Sequence, residues 1–294
     1  RQWEKINKLA PKDLDNWEEF KRSDFFYKIT VWNPLENGVR YLKMLLYNLG
    51  KNLSEDELLI LDKITNRNIG KPYCVNIEGR DIDFDYLQAA YEINTLYNTI
   101  PKYQLGSLLE IGAGYGRTCH SILCNYPNVE EYIILDLDTM MKYSKKYLKS
   151  VLSKKNYNKI KFIDIKKFHL LKDKMFDLII QIDGFNEMEG EIVCHYLNYI
   201  NSHSEYFYTK NPVGKYLDKT LDNHVLGTEM IQNALQSGLL TNILDIDNNL
   251  DIEKNGKEDF ISTYKLSDKW KLLHSSWAKP IPFMWEAVYQ RNND

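Results

Sequence analysis

The stretch that most constrains this chain is LLEIGAGYGRTCHSIL, residues 108–123. Gly112, Gly114 and Gly116 stand at every second position between an apolar run and a segment with helical character. A glycine turn joining a strand to a helix brings backbone amides close to a ligand and aims the helix N-terminus at it. The spacing narrows the ligand. A dinucleotide fingerprint, G-x-G-x-x-G, wants its third glycine at position 117, where Arg117 stands. A phosphate-cradling loop ends in Gly-Lys-Ser/Thr, and that ending is absent.

The surrounding rhythm says what kind of sheet carries the turn. From Ser107 onward, short apolar segments alternate with helical ones: SLLEIG, EYIILDLD, KIKFIDI, FDLIIQID and EYFYTKN. Five such strands joined by helices predict a parallel sheet covered on both faces, an α/β fold. In the connecting helix EIVCHYLNYI, the spacing turns Ile192, Val193, Tyr196, Leu197 and Ile200 inward. Residues 1–100 read as a mostly helical N-terminal cap, and residues 101–294 as the ligand-binding domain. Within the cap, Ser54 is the expected N-cap of LSEDELLILDKI. FDYLQAAYEINTLYNTI places Ala89, Ile93, Leu96, Tyr97 and Ile100 on one face, and Pro101 ends that helix. Near 245–264 the sequence predicts a hairpin insertion turning at Asn255–Gly256, followed by terminal strands KWKLLHSSW and FMWEAVYQR.

Charge and cysteine content exclude several classes. The 294 residues carry a net charge of −3, so the whole chain lacks the basic signature of a nucleic-acid binder. Cys74, Cys119, Cys124 and Cys194 show no C-x-x-C spacing and read as reduced thiols in a cytoplasmic protein. No apolar run is long enough to span a bilayer. The chain begins at Arg1 rather than a methionine, which reads as an excised piece.

Three strand ends then identify the ligand. Glu110, two residues before the first glycine, suits a cationic, amine-bearing group better than a pyrophosphate. Asp136 ends the next strand, where a carboxylate accepts from both hydroxyls of a ribose. Asp164 and Ile165 end the third, suited to an adenine's exocyclic amine and one apolar face. A ligand with an amine, a ribose and an adenine but no phosphate is S-adenosylmethionine. The predicted cofactor site also takes in Ala113, Gly116, Arg117, Leu137 and Gln181.

With these residues in place, Leu108–Asn211 resembles a class I S-adenosylmethionine-dependent methyltransferase. LLEIGAGYGR, YIILDLD, FDLIIQIDGFNEM and YFYTKN resemble, more narrowly, the bacterial sugar O-methyltransferases found with surface-polysaccharide genes. The resemblance extends more weakly to IGKPYCVNIEGRDIDFDYLQAAYEI and MWEAVYQR. It implies a Rossmann-like seven-stranded sheet with an antiparallel last strand and a helical cap over the site. It also implies S-adenosylhomocysteine as product and a carbohydrate or nucleotide-sugar acceptor, with no nucleic-acid partner.

Transfer to a hydroxyl needs a group to position the acceptor oxygen and take its proton. Asp183 and Glu187, directly after the fourth strand, and His224, after the fifth, are the candidate catalytic residues. Asn186, Asn211 and Trp32 are candidate acceptor contacts. Of the other histidines, His274 lies in a terminal strand, His203 belongs to the opposite sheet edge, and His195 is mid-helix. His120 and His169 flank the cofactor strands. DIDNNLD, residues 245–251, fails as a calcium loop: Leu250 replaces the required glycine and Gly256 the bidentate glutamate. No ligand spacing demands a metal, although Asp183 and Glu187 leave one open. Residues 142–174 hold twelve lysines against Asp164 and Asp173, read as a solvated face. Two other readings stay open: a methyltransferase of a small molecule or nucleic acid, and a non-catalytic cofactor-binding partner module.

Overall fold

Apolar runs without polar alternation predict strands buried on both faces, and the strand residues are buried accordingly. The computed structural model describes residues 17–22, 38–215, 228–245, 248–281 and 283–292. A short hairpin of β1 (Cys74–Ile77) and β2 (Arg80–Asp83) precedes a seven-stranded sheet. That sheet contains β3 (Ser107–Ile111), β4 (Glu131–Asp136), β5 (Ile160–Asp164), β6 (Phe176–Ile182), β7 (Ser204–Pro212), β8 (Trp270–Trp277) and β9 (Met284–Arg291). Its order is β5-β4-β3-β6-β7-β9-β8. Pairings from β5 across to β7 are all parallel. β9 runs antiparallel to both of its neighbours, so it alone is reversed. This is the Rossmann-like methyltransferase sheet that the resemblance implies, with every strand where the sequence places it.

The chain leaves β3 outward through β4 to β5, then returns past β3 to β6. The order therefore reverses between β3 and β6, and a crevice opens there beyond the carboxyl ends of the strands. Helices α1 (Gly38–Lys51), α2 (Glu55–Lys63), α3 (Phe84–Thr99), α4 (Arg117–Asn125) and α5 (Asp138–Val151) precede β5 in the chain. Leu61, Tyr86, Ile93, Leu108, Ile122 and Tyr147 share one core on one face of the sheet, so α2 and α3 pack into the same apolar mass as the strands. On the other face, Leu109, Ile111, Ile179, Val193 and Phe260 form a second core beneath α6 (Gly190–His203) and α8 (Lys257–Tyr264). Between them in sequence lies α7 (Thr228–Gln236). Among the described residues no helix is long and apolar enough to cross a membrane.

Local chemistry explains the helix ends. Ser54 caps α2 in a reciprocal box: its hydroxyl accepts from the Glu57 amide at 3.3 Å and its own amide donates to the Glu57 carboxylate at 2.7 Å. Asp83 caps α3 by accepting from the Tyr86 amide at 3.1 Å. Ala89, Ile93, Leu96 and Ile100 are buried as predicted, with Tyr97 half-buried. In α6, Val193, Tyr196 and Ile200 turn inward and Tyr199 joins them, but Ile192 is 45% exposed.

Two segments differ from the sequence expectation. The predicted mostly helical cap contains the β1–β2 hairpin. Its turn residues Glu78 and Gly79 have φ of 54° and 83°, the left-handed pair of a tight hairpin turn. Conversely, the hairpin predicted at Asn255–Gly256 is helical, with Ile252–Gly256 running as a π turn into α8. Gly256 has φ −72°, so it serves no left-handed turn. A Cβ there would lie 2.7 Å from the Val213 side chain, and close approach is what requires glycine. Ile252, Phe260 and Tyr264 recur at helical spacing and are buried. Burying such side chains is worth about 1.5–3 kcal/mol each, enough to override the turn propensity of Asn-Gly.

Candidate cofactor and acceptor site

The glycine turn lies between β3 and α4. Gly112, Gly114 and Gly116 have φ of 77°, 58° and 96°, a backbone that other residues adopt only with strain. They do different jobs. A Cβ on Gly112 or Gly114 would meet nothing within 4 Å, so the backbone here faces open space a ligand can enter. A Cβ on Gly116 would lie 2.8 Å from Leu148 of α5; this glycine caps α4 and admits the neighbouring helix.

Asp136, at the end of β4, grips the turn. One carboxylate oxygen accepts from the Gly114 amide at 2.9 Å and the other from the Leu137 amide at 2.7 Å. Burial pushes its carboxyl up to about 6, and these backbone donors resist that rise. A carboxylate has about four acceptor positions, so lone pairs remain to accept from a ligand's donors. Asp164 is its register partner on β5. It caps the following turn by accepting from the Lys166 amide at 2.9 Å, and Ile165 beside it is 36% exposed, an apolar surface at the strand end.

Other predicted cofactor residues stand elsewhere. Glu110 is buried beneath the turn, where Tyr132 donates to it at 2.8 Å; burial raises its carboxyl to about 7. Arg117 is turned away, because Glu92 of α3 takes its guanidinium in two bonds of 2.6 and 3.1 Å. Gln181 is fully buried, its side-chain amide group lying beside the Gly184 and Phe185 amides and 2.5 Å from the side-chain amide of Asn211. Asn211, predicted as an acceptor contact, is likewise 0% exposed and bonded to Thr209 and Gln181. It braces the strand ends from inside rather than facing the crevice.

Across the crevice, Asp183 follows β6 with φ 54°, and its amide donates to the Lys210 carbonyl at 2.7 Å. A non-glycine residue held in the left-handed region is uncommon, and such residues collect at functional sites. Glu187 closes the next turn, its amide donating to the Gly184 carbonyl at 3.2 Å. The Asn186 carbonyl accepts from the Lys215 ammonium at 2.8 Å and the Ser237 hydroxyl at 2.7 Å. Its side-chain oxygen is buried with no partner among the described residues. Burial pushes the Lys215 ammonium down, and the Glu187 carboxylate opposes this. Lys215 and Ser237 are single polar residues in segments without a motif, so no sequence pattern points to them.

Beneath the crevice lies a buried charge cluster. Glu92 binds both Arg117 and Lys210, the latter at 2.9 Å, with Lys210 also donating to Gln88 at 3.2 Å. Burial alone would raise the Glu92 carboxyl, but Arg117 and Lys210 hold it at about 2. Glu92 and Gln88 interrupt the apolar face of α3, and that interruption was the available sequence signal.

Of the histidines, His120 is buried against Tyr86, with the hydroxyl 2.6 Å from Nδ1, and burial pushes its imidazole down to about 3. His203 bonds to main-chain carbonyls of Tyr199 and Lys172. His274 bonds to Ser276 at 2.9 Å within β8; His169 and His195 are exposed. His224 and Trp32 lie outside the described residues. Among the described residues, no three His, Cys, Asp or Glu gather as a metal site.

No family model and no curated protein matches the sequence. Among solved structures the chain is similar to Thermoplasma acidophilum 1320, with TM-score 0.45 and 11% identity over 82% of this chain and 100% of that one. It is also similar to the methyltransferase domain of bacterial CtHen1-C, with TM-score 0.46 and 10% identity over 70% and 97% of the two chains. An O-methyltransferase family protein from Burkholderia thailandensis gives TM-score 0.44 and 9% identity over 87% and 71%. Likeness at this level says nothing of the reaction, and the fold stands on the strand order itself.

Proposed function

We propose that the chain is an S-adenosylmethionine-dependent O-methyltransferase whose acceptor is a sugar hydroxyl of a surface polysaccharide or its nucleotide-sugar precursor. The observation that carries this reading is the pairing, at one switch-point crevice, of an open glycine turn gripped by Asp136 with a strained acid, Asp183, across the β3–β6 boundary. The open backbone at Gly112 and Gly114 and the acceptor Asp136 fit the cofactor. When bound, S-adenosylmethionine supplies an activated methyl group on a sulfonium.

The residues then have separate tasks. Gly112 and Gly114 admit the cofactor to the backbone, Asp136 accepts from its ribose, and Asp164 with Ile165 borders its adenine. Asp183, Glu187 and His224 are the candidates for binding the acceptor hydroxyl and removing its proton, with Asp183 foremost. The bound cofactor would give its methyl to the acceptor oxygen and leave as S-adenosylhomocysteine, the sulfur keeping the electron pair. The hydroxyl proton passes to the base. The sugar acceptor rests on the resemblance of the NEM and YFYTKN segments.

The test is incubation with S-adenosylmethionine and a panel of nucleotide sugars and free monosaccharides, followed by mass spectrometry for a mass gain of one methyl group. Transfer to a sugar hydroxyl supports the reading. Transfer only to non-sugar acceptors removes the sugar, and cofactor binding without transfer to any acceptor removes the enzyme.

A further inference from the structure

Asp136 grips the glycine turn at Gly114, but within the turn itself little side chain is available to anchor it. Between Gly112 and Gly116 the only large side chain is Tyr115, and a glycine-rich turn populates many backbone states unless something pins it. Tyr115 is 6% exposed and its hydroxyl donates to Asp85 of α3 at 2.6 Å.

What packs on Tyr115 comes from far away in sequence. The segment Trp17–Arg22 lies against it, with Phe20 edge-on to Tyr115 at 5.5 Å and to Tyr147 at 5.6 Å. Lys21 enters beside it. Its ammonium stands 4.9, 5.5 and 4.8 Å from the ring centres of Tyr86, Tyr115 and Tyr147. It donates to the Arg67 carbonyl at 2.7 Å and the Tyr147 hydroxyl at 3.0 Å. Lys21 is 5% exposed, and a lysine so buried is rare unless its charge is matched. Burial pushes it down to about 8, with Asp83 and Asp85 resisting, so it remains a cation at neutral pH. The rings of Tyr86 and Tyr115 and the hydroxyl edge of Tyr147 together form a cage around the ammonium.

The chain makes room for this segment. Gly70 has φ 88°, and a Cβ there would lie 2.4 Å from the Phe20 ring. The Lys21 amide donates to the Gly70 carbonyl at 3.3 Å, and Arg22 bonds the Lys71 carbonyl at 2.6 Å. A charged side chain, a caged seat and a glycine that admits its neighbour all converge on the back of one turn.

The geometry points to Lys21 as a positioning residue for the cofactor site: its ammonium, caged by Tyr86, Tyr115 and Tyr147, clamps Trp17–Arg22 behind the glycine turn and fixes the turn through Tyr115. The consequence for the cofactor rests on the proposed function; the clamp itself does not. Lys21 touches no reacting atom.

Two readouts separate these parts. Amide hydrogen exchange of residues 112–116 without any ligand tests the clamp. In Lys21→Met, which keeps the chain length but not the charge, exchange in the turn should quicken about tenfold while the β3 and β4 amides stay as slow as in the parent. Gly70→Ala, which presses on Phe20 from outside the cage, should do the same. Calorimetry with S-adenosylhomocysteine tests the consequence: Lys21→Met should bind about tenfold more weakly and Lys21→Arg within about threefold of the parent. In the double variant with Tyr115→Leu, the lysine change should add nothing to the tyrosine change. Unchanged exchange in Lys21→Met, or additive losses in the double variant, would overturn the clamp. A parent protein that binds no S-adenosylhomocysteine but keeps its exchange pattern would overturn the cofactor role and leave the clamp supported.

Discussion

The two sides of the crevice are built in opposite ways. On the side proposed for the cofactor the parts are local and mostly backbone: a turn at 112–116, one acid at the end of β4 and one at the end of β5. Each is placed first by its own strand, with the Trp17–Arg22 segment backing the turn from behind. On the acceptor side the parts are side chains brought from afar, since Lys215 and Ser237 reach the Asn186 carbonyl across 29 and 51 residues. One side is therefore set by strand order, which any chain with this sheet shares. The other is set by whatever its loops carry, and there a given chain acquires its own acceptor.

If that division is right, substitutions on the two sides should separate into different kinetic signatures. Asp183→Asn should lower turnover by about 10²–10⁴-fold, the range of a lost general base, while S-adenosylhomocysteine affinity by calorimetry stays within about threefold. Parallel losses of both would mean that Asp183 serves the cofactor instead. Glu92 joins the two sides, and Glu92→Ala strands Arg117 and Lys210 as buried, unpaired cations. The expected cost is about 3–5 kcal/mol in a denaturant titration; a change under about 1 kcal/mol would show that water already compensates them. The native carboxyl sits at about 2, below its ordinary value, because Arg117 and Lys210 outweigh burial. Its contribution is thus present above the ordinary glutamate range and disappears as pH falls through about 2.

Gly114→Val places a branched side chain in the open space at φ 58°. It should weaken cofactor binding by about a hundredfold with the far-ultraviolet circular dichroism unchanged. The smallest effect is on pH. Asp136 is raised to about 6, chiefly by burial, so its share of folding stability is fully present below the ordinary aspartate range and is lost as pH rises through about 6. Cofactor affinity runs the other way, because protonation removes the acceptor. Between pH of about 7 and 5, binding should weaken by about tenfold, and a flat profile would take Asp136 out of the ribose contact.

The same contrast explains what could be read without coordinates. All seven strands of the large sheet, the Ser54 cap and the glycine turn were legible because apolar runs, capping residues and positive-φ glycines are local signals. The β1–β2 hairpin was missed because each strand is only four residues long. Asn255–Gly256 misled because burial of Ile252, Phe260 and Tyr264 decided the conformation, and that burial depends on the second core. The place of Arg117 after the glycines points to the cofactor, yet its direction depends on Glu92, 25 residues earlier. Lys215 and Ser237 carried no pattern at all, since only the folded sheet edge brings them to Asn186.

Calorimetry of S-adenosylhomocysteine against the parent protein, Asp136→Asn and Asp183→Asn bears most directly on the division between the two sides. The account predicts one site in the parent, binding about 10–100-fold weaker in Asp136→Asn, as for a lost hydrogen bond to a charged group, and near-parent affinity in Asp183→Asn. No binding by the parent, or equal affinity in the parent and Asp136→Asn, would contradict it.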